Sequence, residues 1–240
     1  MTDRMQTPPS PRLPGIDIAR GIALIGMVIF HFTFDLEFFG RIGPGTVTSL
    51  PWRTFARLVA GSFVFLAGVS LVLAARGGMR WPKFWRDTGL VAAAALGVSV
   101  VTWFALGPAW VFFGILHMIV AGRLLGLAFL RLPGLALIVL GVVVWALPYL
   151  VYSPVFDTRW LAWIGFAETS PLSMDLEPIF PWFGPFLLGM AFAKLFLLVR
   201  NSGGDGGPVG RALAWAGRHS LAIYLIHQPV LMGGMFLLFR

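Results

Sequence analysis

Residues 15–40 read GIDIARGIALIGMVIFHFTFDLEFFG, an apolar run of membrane-spanning length with ionisable side chains inside it. A helix needs about 20 predominantly apolar residues to cross the hydrocarbon core of a bilayer. The whole chain has 58% hydrophobic and 12% charged residues, and its mean hydropathy is +0.84. A soluble domain of 240 residues could not bury that much apolar surface. The run therefore predicts an integral membrane protein.

Further apolar runs follow the first, and glycines and prolines separate them, as helix-breaking residues do. The candidate spans are residues 16–38, 54–75, 86–106, 109–130, 134–152, 179–199 and 219–239. Only Gly107-Pro108 separates the third span from the fourth, which predicts a tight helical hairpin there. The predicted fold class is all-α, a polytopic membrane helix bundle with about seven transmembrane helices.

The distribution of Lys and Arg predicts the orientation of the bundle. Cytoplasmic segments of membrane proteins carry an excess of these residues. With the N-terminus inside, the inner segments hold twelve of them and the outer segments five. We therefore expect an N-in, C-out topology. The net charge of +8 then serves to anchor the chain to anionic lipid, and no long basic stretch with interleaved aromatic residues indicates nucleic-acid binding.

Two regions of different character make up the chain. Residues 1–14 contain four prolines and no apolar run, which predicts a disordered cytoplasmic tail. Residues 15–240 form a single predicted transmembrane domain. The chain has no cysteine, which excludes disulfides and cysteine nucleophiles. No metal site is expected, because the histidines lie on different spans without ligand spacing.

The ionisable side chains of the first span share one helix face. His31 follows Arg20 by eleven residues, which is close to three turns and roughly 16 Å along the axis. Asp35 follows His31 by four residues, near enough to hold one imidazole nitrogen and fix the tautomer. Ionisable groups inside a membrane are costly and mark functional sites. We predict that His31 is a general base oriented by Asp35.

Other spans carry further candidate site residues. His117 lies in the fourth span and is a second catalytic candidate. The last span contains GRHSLAIYLIHQPV, which places Tyr224 and His227 on one polar stripe. Asp175 and Glu177 precede a proline-broken entry to the sixth span. Irregular backbone at membrane depth lines a cavity or is buried in protein. We predict that Tyr224, His227, Asp175 and Glu177 bind substrate.

Five stretches of the chain resemble a known family. In order they are RLPGIDIARGIALIGMVIFHFTFDL, SFVFLAGVSL, FGILH, PIFPWFGPFLLG and GRHSLAIYLIHQPV. They are similar to the bacterial family grouped with the catalytic domain of heparan-alpha-glucosaminide N-acetyltransferase, within the transmembrane acyltransferase superfamily. The resemblance covers nearly the whole chain. It implies a multi-pass enzyme of the bacterial cytoplasmic (inner) membrane.

The resemblance also implies a reaction. An acyl group, here acetyl, would pass from cytoplasmic acyl-CoA to an extracytoplasmic saccharide acceptor, without a metal. The Arg20–His31 pair resembles the Arg-then-His signature of membrane acyltransferases, in which the His is the proposed base. Such a reaction needs a base matched to neutral pH, and His has that property. The predicted phosphate-binding residues at the inner face are Arg20, Arg76 and Arg80, together with the neighbouring Lys83 and Arg86.

Two other classes of protein would use the same residues differently. A proton-coupled transporter would use the intramembrane His and Asp side chains as a proton relay. A structural membrane subunit would use them as interhelical hydrogen-bonding groups. Binding of CoA from the cytoplasmic side distinguishes the acyltransferase from both.

Overall fold

The protein folds as a bundle of helices. The computed structural model describes residues 13–197 and 206–239, and within these it has nine α-helices and no β-strand. The helices are α1 (Pro14–Phe38), α2 (Leu50–Ala75), α3 (Trp81–Leu106), α4 (Ile115–Phe129), α5 (Gly134–Ala146), α6 (Arg159–Ala162), α7 (Ile179–Phe192), α8 (Gly207–Arg218) and α9 (Ser220–Leu238). The predicted all-α class is confirmed. The predicted tail, residues 1–14, lies almost wholly outside the described residues.

Within the described residues, five helical segments are long and apolar enough to cross a membrane. These are Pro14–Phe38, Leu50–Ala75, Trp81–Ala109, Ile179–Phe196 and Ser220–Leu238. The apolar helices α4 and α5 occupy the positions of the predicted fourth and fifth spans but are shorter. The count of seven and the N-in orientation therefore stay predictions.

The connection between α3 and α4 differs from the predicted tight hairpin. A short 3-10 turn follows α3, residues 110–114 are not helical, and α4 begins at Ile115 rather than at residue 109. This segment is held by the loop that precedes α7: Met174 N–H donates to Ala109 O at 2.8 Å and Glu177 N–H donates to Phe113 O at 3.0 Å. Those bonds join residues more than sixty positions apart, which is why local sequence reasoning missed them.

Helix α8 was not predicted, and it packs along the N-terminal half of α1. Its contact face is made of small residues. A Cβ atom on Gly21 of α1 would lie 2.3 Å from Leu213 O, and one on Gly217 would lie 1.9 Å from Asp17 O. The two backbones therefore touch directly, as small residues allow in membrane-helix packing. This contact fixes α8 beside Arg20.

The core of the bundle lies around α7, which packs on α2 and α5. Phe186, Leu187 and Met190 are fully buried there. A second group of helices encloses a cavity: α1 contacts α2 and α9, and α4 contacts α2 and α3. Helix α3 meets α9 over only a short stretch. The candidate functional site lies within this ring.

The α2–α7 contact depends on Gly68, and Gly68→Ala is expected to destabilise the protein. Its Cβ would lie 2.0 Å from Phe186 O, and overpacking of this kind costs about 1–3 kcal/mol. Gly89→Ala is the matched control, because a Cβ at Gly89 meets nothing within 4 Å. Thermal unfolding in detergent should show a lower Tm for Gly68→Ala alone. Equal melting of the two variants would contradict this packing.

Candidate functional site

A cavity of about 910 Å³ lies among α1, α2, α3 and α9, beneath the loop that precedes α7. We call it the outer cavity, after the predicted extracytoplasmic side. Most of its lining side chains are apolar. Its polar lining residues are His31, Thr102, Asp175, Glu177, Tyr224, His227 and Gln228. The structure thus gathers most of the predicted catalytic and substrate-binding residues around one space.

His31 and His227 form a pair across the α1–α9 contact, with their ring centroids 4.8 Å apart. The Nδ1 atom of His227 lies 2.6 Å from Tyr224 O. A carbonyl oxygen only accepts, so Nδ1 carries the proton and Nε2 keeps its lone pair. That Nε2 atom is buried and has no hydrogen-bond partner among the described residues. His227 therefore presents a basic nitrogen with a fixed tautomer.

The predicted contact between Asp35 and His31 is not formed. Asp35 is 0% exposed, and its Oδ1 accepts a hydrogen bond from Gln228 Nε2 at 2.7 Å. The reason is that α9 brings an amide donor to the carboxylate from across the helix pair. Asp35 Oδ2 and Gln228 Oε1 have no partner within the described residues. Sequence reasoning missed Gln228, although an amide next to a histidine in an apolar helix is a signal for an interhelical bond.

His117 does not line the outer cavity. Its Nδ1 accepts the Gly114 N–H at 3.2 Å, and its Nε2 lies 3.2 Å from Ser99 Oγ. Because Ser99 donates its hydroxyl proton to Val111 O at 2.7 Å, Nε2 is the donor to Ser99. Both ring nitrogens are thus used in holding residues 110–114 at the start of α4. The structure does not bring His117 together with the histidine pair.

Asp175 and Glu177 form a partly buried acid pair at the outer end of the cavity. Asp175 Oδ2 accepts the Ile115 N–H at 3.0 Å, at the N-terminus of α4, where the helix dipole favours negative charge. Burial nevertheless raises the pKa of Asp175 to about 6. The pKa of Glu177 lies well above its ordinary value because of burial and the neighbouring Asp175 charge, with Arg57 opposing the shift. The pair therefore shares protons as a unit.

A second cavity of about 500 Å³ lies at the other end of α1, and we call it the inner cavity. Its lining residues are Leu13, Ile16, Asp17, Arg20, Ser70, Leu73, Lys83, Asp87 and Arg218. Arg20 forms an ion pair with Asp17 at 3.4 Å and donates to the Ser70 hydroxyl. Three cationic side chains from three different helices thus surround one space.

The cationic residues that line the inner cavity differ in part from those predicted to bind phosphate. Arg76 and Arg80 flank the α2–α3 connection, are exposed and do not line the inner cavity. Lys83 lines it beside Arg20 as predicted, Arg86 does not, and Arg218 lines it in addition. Arg218 was missed because it ends α8, which the sequence did not predict. For metals, no group of three or more His, Asp or Glu side chains that could hold an ion occurs in residues 13–197 and 206–239.

Comparison with known proteins identifies the family. The sequence profile described as "Heparan-alpha-glucosaminide N-acetyltransferase, catalytic" matches residues 12–229. The chain belongs to this family. The match includes Arg20 in the inner cavity and the His31–His227 pair in the outer one, so both candidate sites lie within the acetyltransferase region. No curated protein and no solved structure matches the chain.

The acid pair is expected to make stability depend on pH. Both pKa values are raised in the folded protein, so the folded state binds more protons than the unfolded state above pH 4 or so. Stability should fall as the pH rises through about 6. Glu177→Gln should make this slope shallower, because it removes one buried charge. Tm values measured in detergent from acidic to mildly alkaline pH test this, and an unchanged slope in Glu177→Gln would contradict it.

Proposed function

We propose that this protein is a membrane acyltransferase that moves an acetyl group from cytoplasmic acetyl-CoA to a saccharide acceptor on the extracytoplasmic side. One observation carries the proposal. The single helix α1 places Arg20 in the basic inner cavity and His31 in the outer cavity with His227. One rigid element thus links a place for the donor phosphates to a place for the base.

The donor is proposed to bind at the inner cavity. Arg20, Lys83 and Arg218 line it with Asp17 and Asp87, and this excess of cationic side chains suits phosphate groups. The acyl-pantetheine arm would then run along α1 toward His31. Leu24 and Met27 are buried between the two sites, so the arm has to displace them. Methionine adapts readily to such a change because its side chain is flexible.

The transfer step uses the histidine pair. His31 is the proposed base that takes the proton from the acceptor hydroxyl or amine. The acceptor oxygen or nitrogen then forms a bond to the thioester carbonyl carbon, and the carbon–sulfur bond breaks. The leaving thiolate takes a proton from the imidazolium. His227 lines the same cavity, and its Nε2, which has no hydrogen-bond partner among the described residues, is the proposed acceptor of a second hydrogen bond from the substrate.

The acceptor group is proposed to lie between this pair and the loop side of the cavity. Asp175, Glu177 and Tyr224 line that part and offer carboxyl and hydroxyl groups. A saccharide presents several hydroxyls that need partners when they leave water. These three side chains supply them. The proposal therefore keeps the substrate-binding role of all three.

A proton-coupled transporter is the second candidate. The observation that favours it is the presence of two histidines and two carboxylic acids around one cavity, since such groups form proton relays in transporters. The family membership and the basic inner cavity favour the acyltransferase. Binding of CoA separates the two, because a transporter of this kind has no use for it.

His31→Ala is expected to abolish acetyl transfer while CoA binding remains. Loss of a general base lowers turnover by about 10²–10⁴-fold. Asp35→Asn should keep more activity, because its side-chain oxygen still accepts from Gln228. His219→Ala is a control, since His219 is exposed and lines neither cavity. Release of free CoA thiol measures the reaction, and near-normal turnover in His31→Ala would remove His31 as the base.

Arg20→Ala is expected to weaken CoA binding by about tenfold or more, the effect of losing a hydrogen bond to a charged group. Arg80→Ala should bind as the wild type does, because Arg80 is exposed and outside the inner cavity. Thermal-shift titration of the detergent-solubilised protein with CoA measures both. No shift at millimolar CoA, or equal shifts in the two variants, would rule against the inner cavity as the donor site.

A further inference from the structure

The wall of the outer cavity is more apolar than a free saccharide requires. Helix α2 contributes Val59 and Phe63, and α3 contributes Ala93, Gly97 and Val101. Along these two helices Thr102 is the one cavity-lining residue with a polar side chain, so most hydroxyls of a free sugar would find no partner there, and a buried unpartnered hydroxyl costs free energy. A hydrocarbon chain has no such need. The apolar wall therefore fits a part of the substrate that is itself apolar.

In the ring of helices around the outer cavity, the contact between α3 and α9 is the shortest, and we call it the seam. Helix α3 packs mainly on α4 and the turn that follows α3, and its contact with α9 is short. On α3, Ala93, Gly97 and Val101 recur every four residues, line the cavity and are exposed. On α9, Leu225 and Pro229 also line it and are exposed. Outside these helices lies hydrocarbon, so the seam is an entry from the bilayer rather than from water.

We propose that the acceptor is a lipid-linked saccharide, whose hydrocarbon chain enters between α3 and α9 and lies along the apolar wall. This inference rests on the proposed acyl transfer and names the class of its acceptor. The saccharide head would lie between the His31–His227 pair and the acid pair. Lipid tails are as apolar as the cavity wall and gain little by moving into it. Selectivity for the acceptor therefore comes from its saccharide head group, and its hydrocarbon chain only orients that head group.

The size of the outer cavity fits a lipid-linked acceptor together with the end of the acyl donor better than it fits the donor alone. At about 910 Å³ it lies at the upper end of the range of about 300–1,000 Å³ usual for ligand sites. An acetyl group and the end of a pantetheine arm reach only the His31 region from the inner side. The space along α2 and α3 remains for a second molecule. A lipid chain fills it without leaving polar groups unpaired.

Gly97 provides a way to test the entry. A Cβ at Gly97 meets nothing within 4 Å, so Gly97→Phe puts a large side chain into the cavity opening without a backbone clash. Gly89→Phe is the matched control on the same helix: its Cβ also meets nothing, and Gly89 does not line the cavity. The protein is reconstituted in vesicles made from the total membrane lipid of its source and supplied with labelled acetyl-CoA. Organic and aqueous extracts are then counted.

The expected result is label in the organic extract, on a lipid that carries sugar. Gly97→Phe should lower this transfer by about tenfold or more, as steric changes in apolar pockets do, and Gly89→Phe should not. Label only on a water-soluble saccharide would overturn the inference and leave acyl transfer standing. Label on lipid that is equal in all three proteins would overturn entry between α3 and α9.

Absence of label from every fraction would instead count against the proposed function. Native mass spectrometry of the purified proteins then decides the lipid site separately. A lipid retained by the wild type and by Gly89→Phe, and lost from Gly97→Phe, would support a lipid-binding cavity. Equal retention, or none, would overturn it.

Discussion

The hydrogen bond from Gln228 to Asp35 joins α9 to α1, and the outer cavity depends on that junction. Helix α9 has few other neighbours: it meets α3 and α8 only briefly. Asp35 is fully buried, so its carboxylate needs a donor at membrane depth. Gln228 supplies one at 2.7 Å. Since His227 precedes Gln228 in the chain, the same contact brings its ring to 4.8 Å from that of His31.

Helix α1 acts as the common support of both cavities. Its inner half is fixed by α8 through direct backbone contact at Gly21 and Gly217, and its outer half is fixed by α9. Arg20 and His31 are therefore held at a separation set by the helix itself, roughly 16 Å. A donor with phosphates at one end and a reactive thioester at the other suits a rigid spacing of this kind. The geometry favours one extended molecule over two independent ligands.

Sequence reasoning succeeded where the cause is local and failed where it is not. The shared face of Arg20 and His31 follows from the helix period alone, and the lengths of the apolar runs predicted the apolar helices. The partner of Asp35 could not be predicted in the same way, because Gln228 lies 193 residues away in the chain. Arg218 reaches the inner cavity only because α8 folds back on α1. The amphipathic pattern of α8 is present in the sequence, directly after a glycine-rich stretch.

The acid pair and the histidine pair limit the charge that the outer cavity tolerates. Two imidazolium rings at 4.8 Å would repel strongly in a medium of low dielectric constant. At most one of the two histidines is therefore positively charged at a time. The raised pKa values of Asp175 and Glu177 likewise keep a proton between the two carboxyls at neutral pH. In the proposed transfer, a proton taken from the acceptor by a histidine would thus be balanced by the remaining carboxylate charge across the same cavity. The cavity can hold the charge-separated state without a counter-ion from water, which an apolar wall and a lipid chain would exclude.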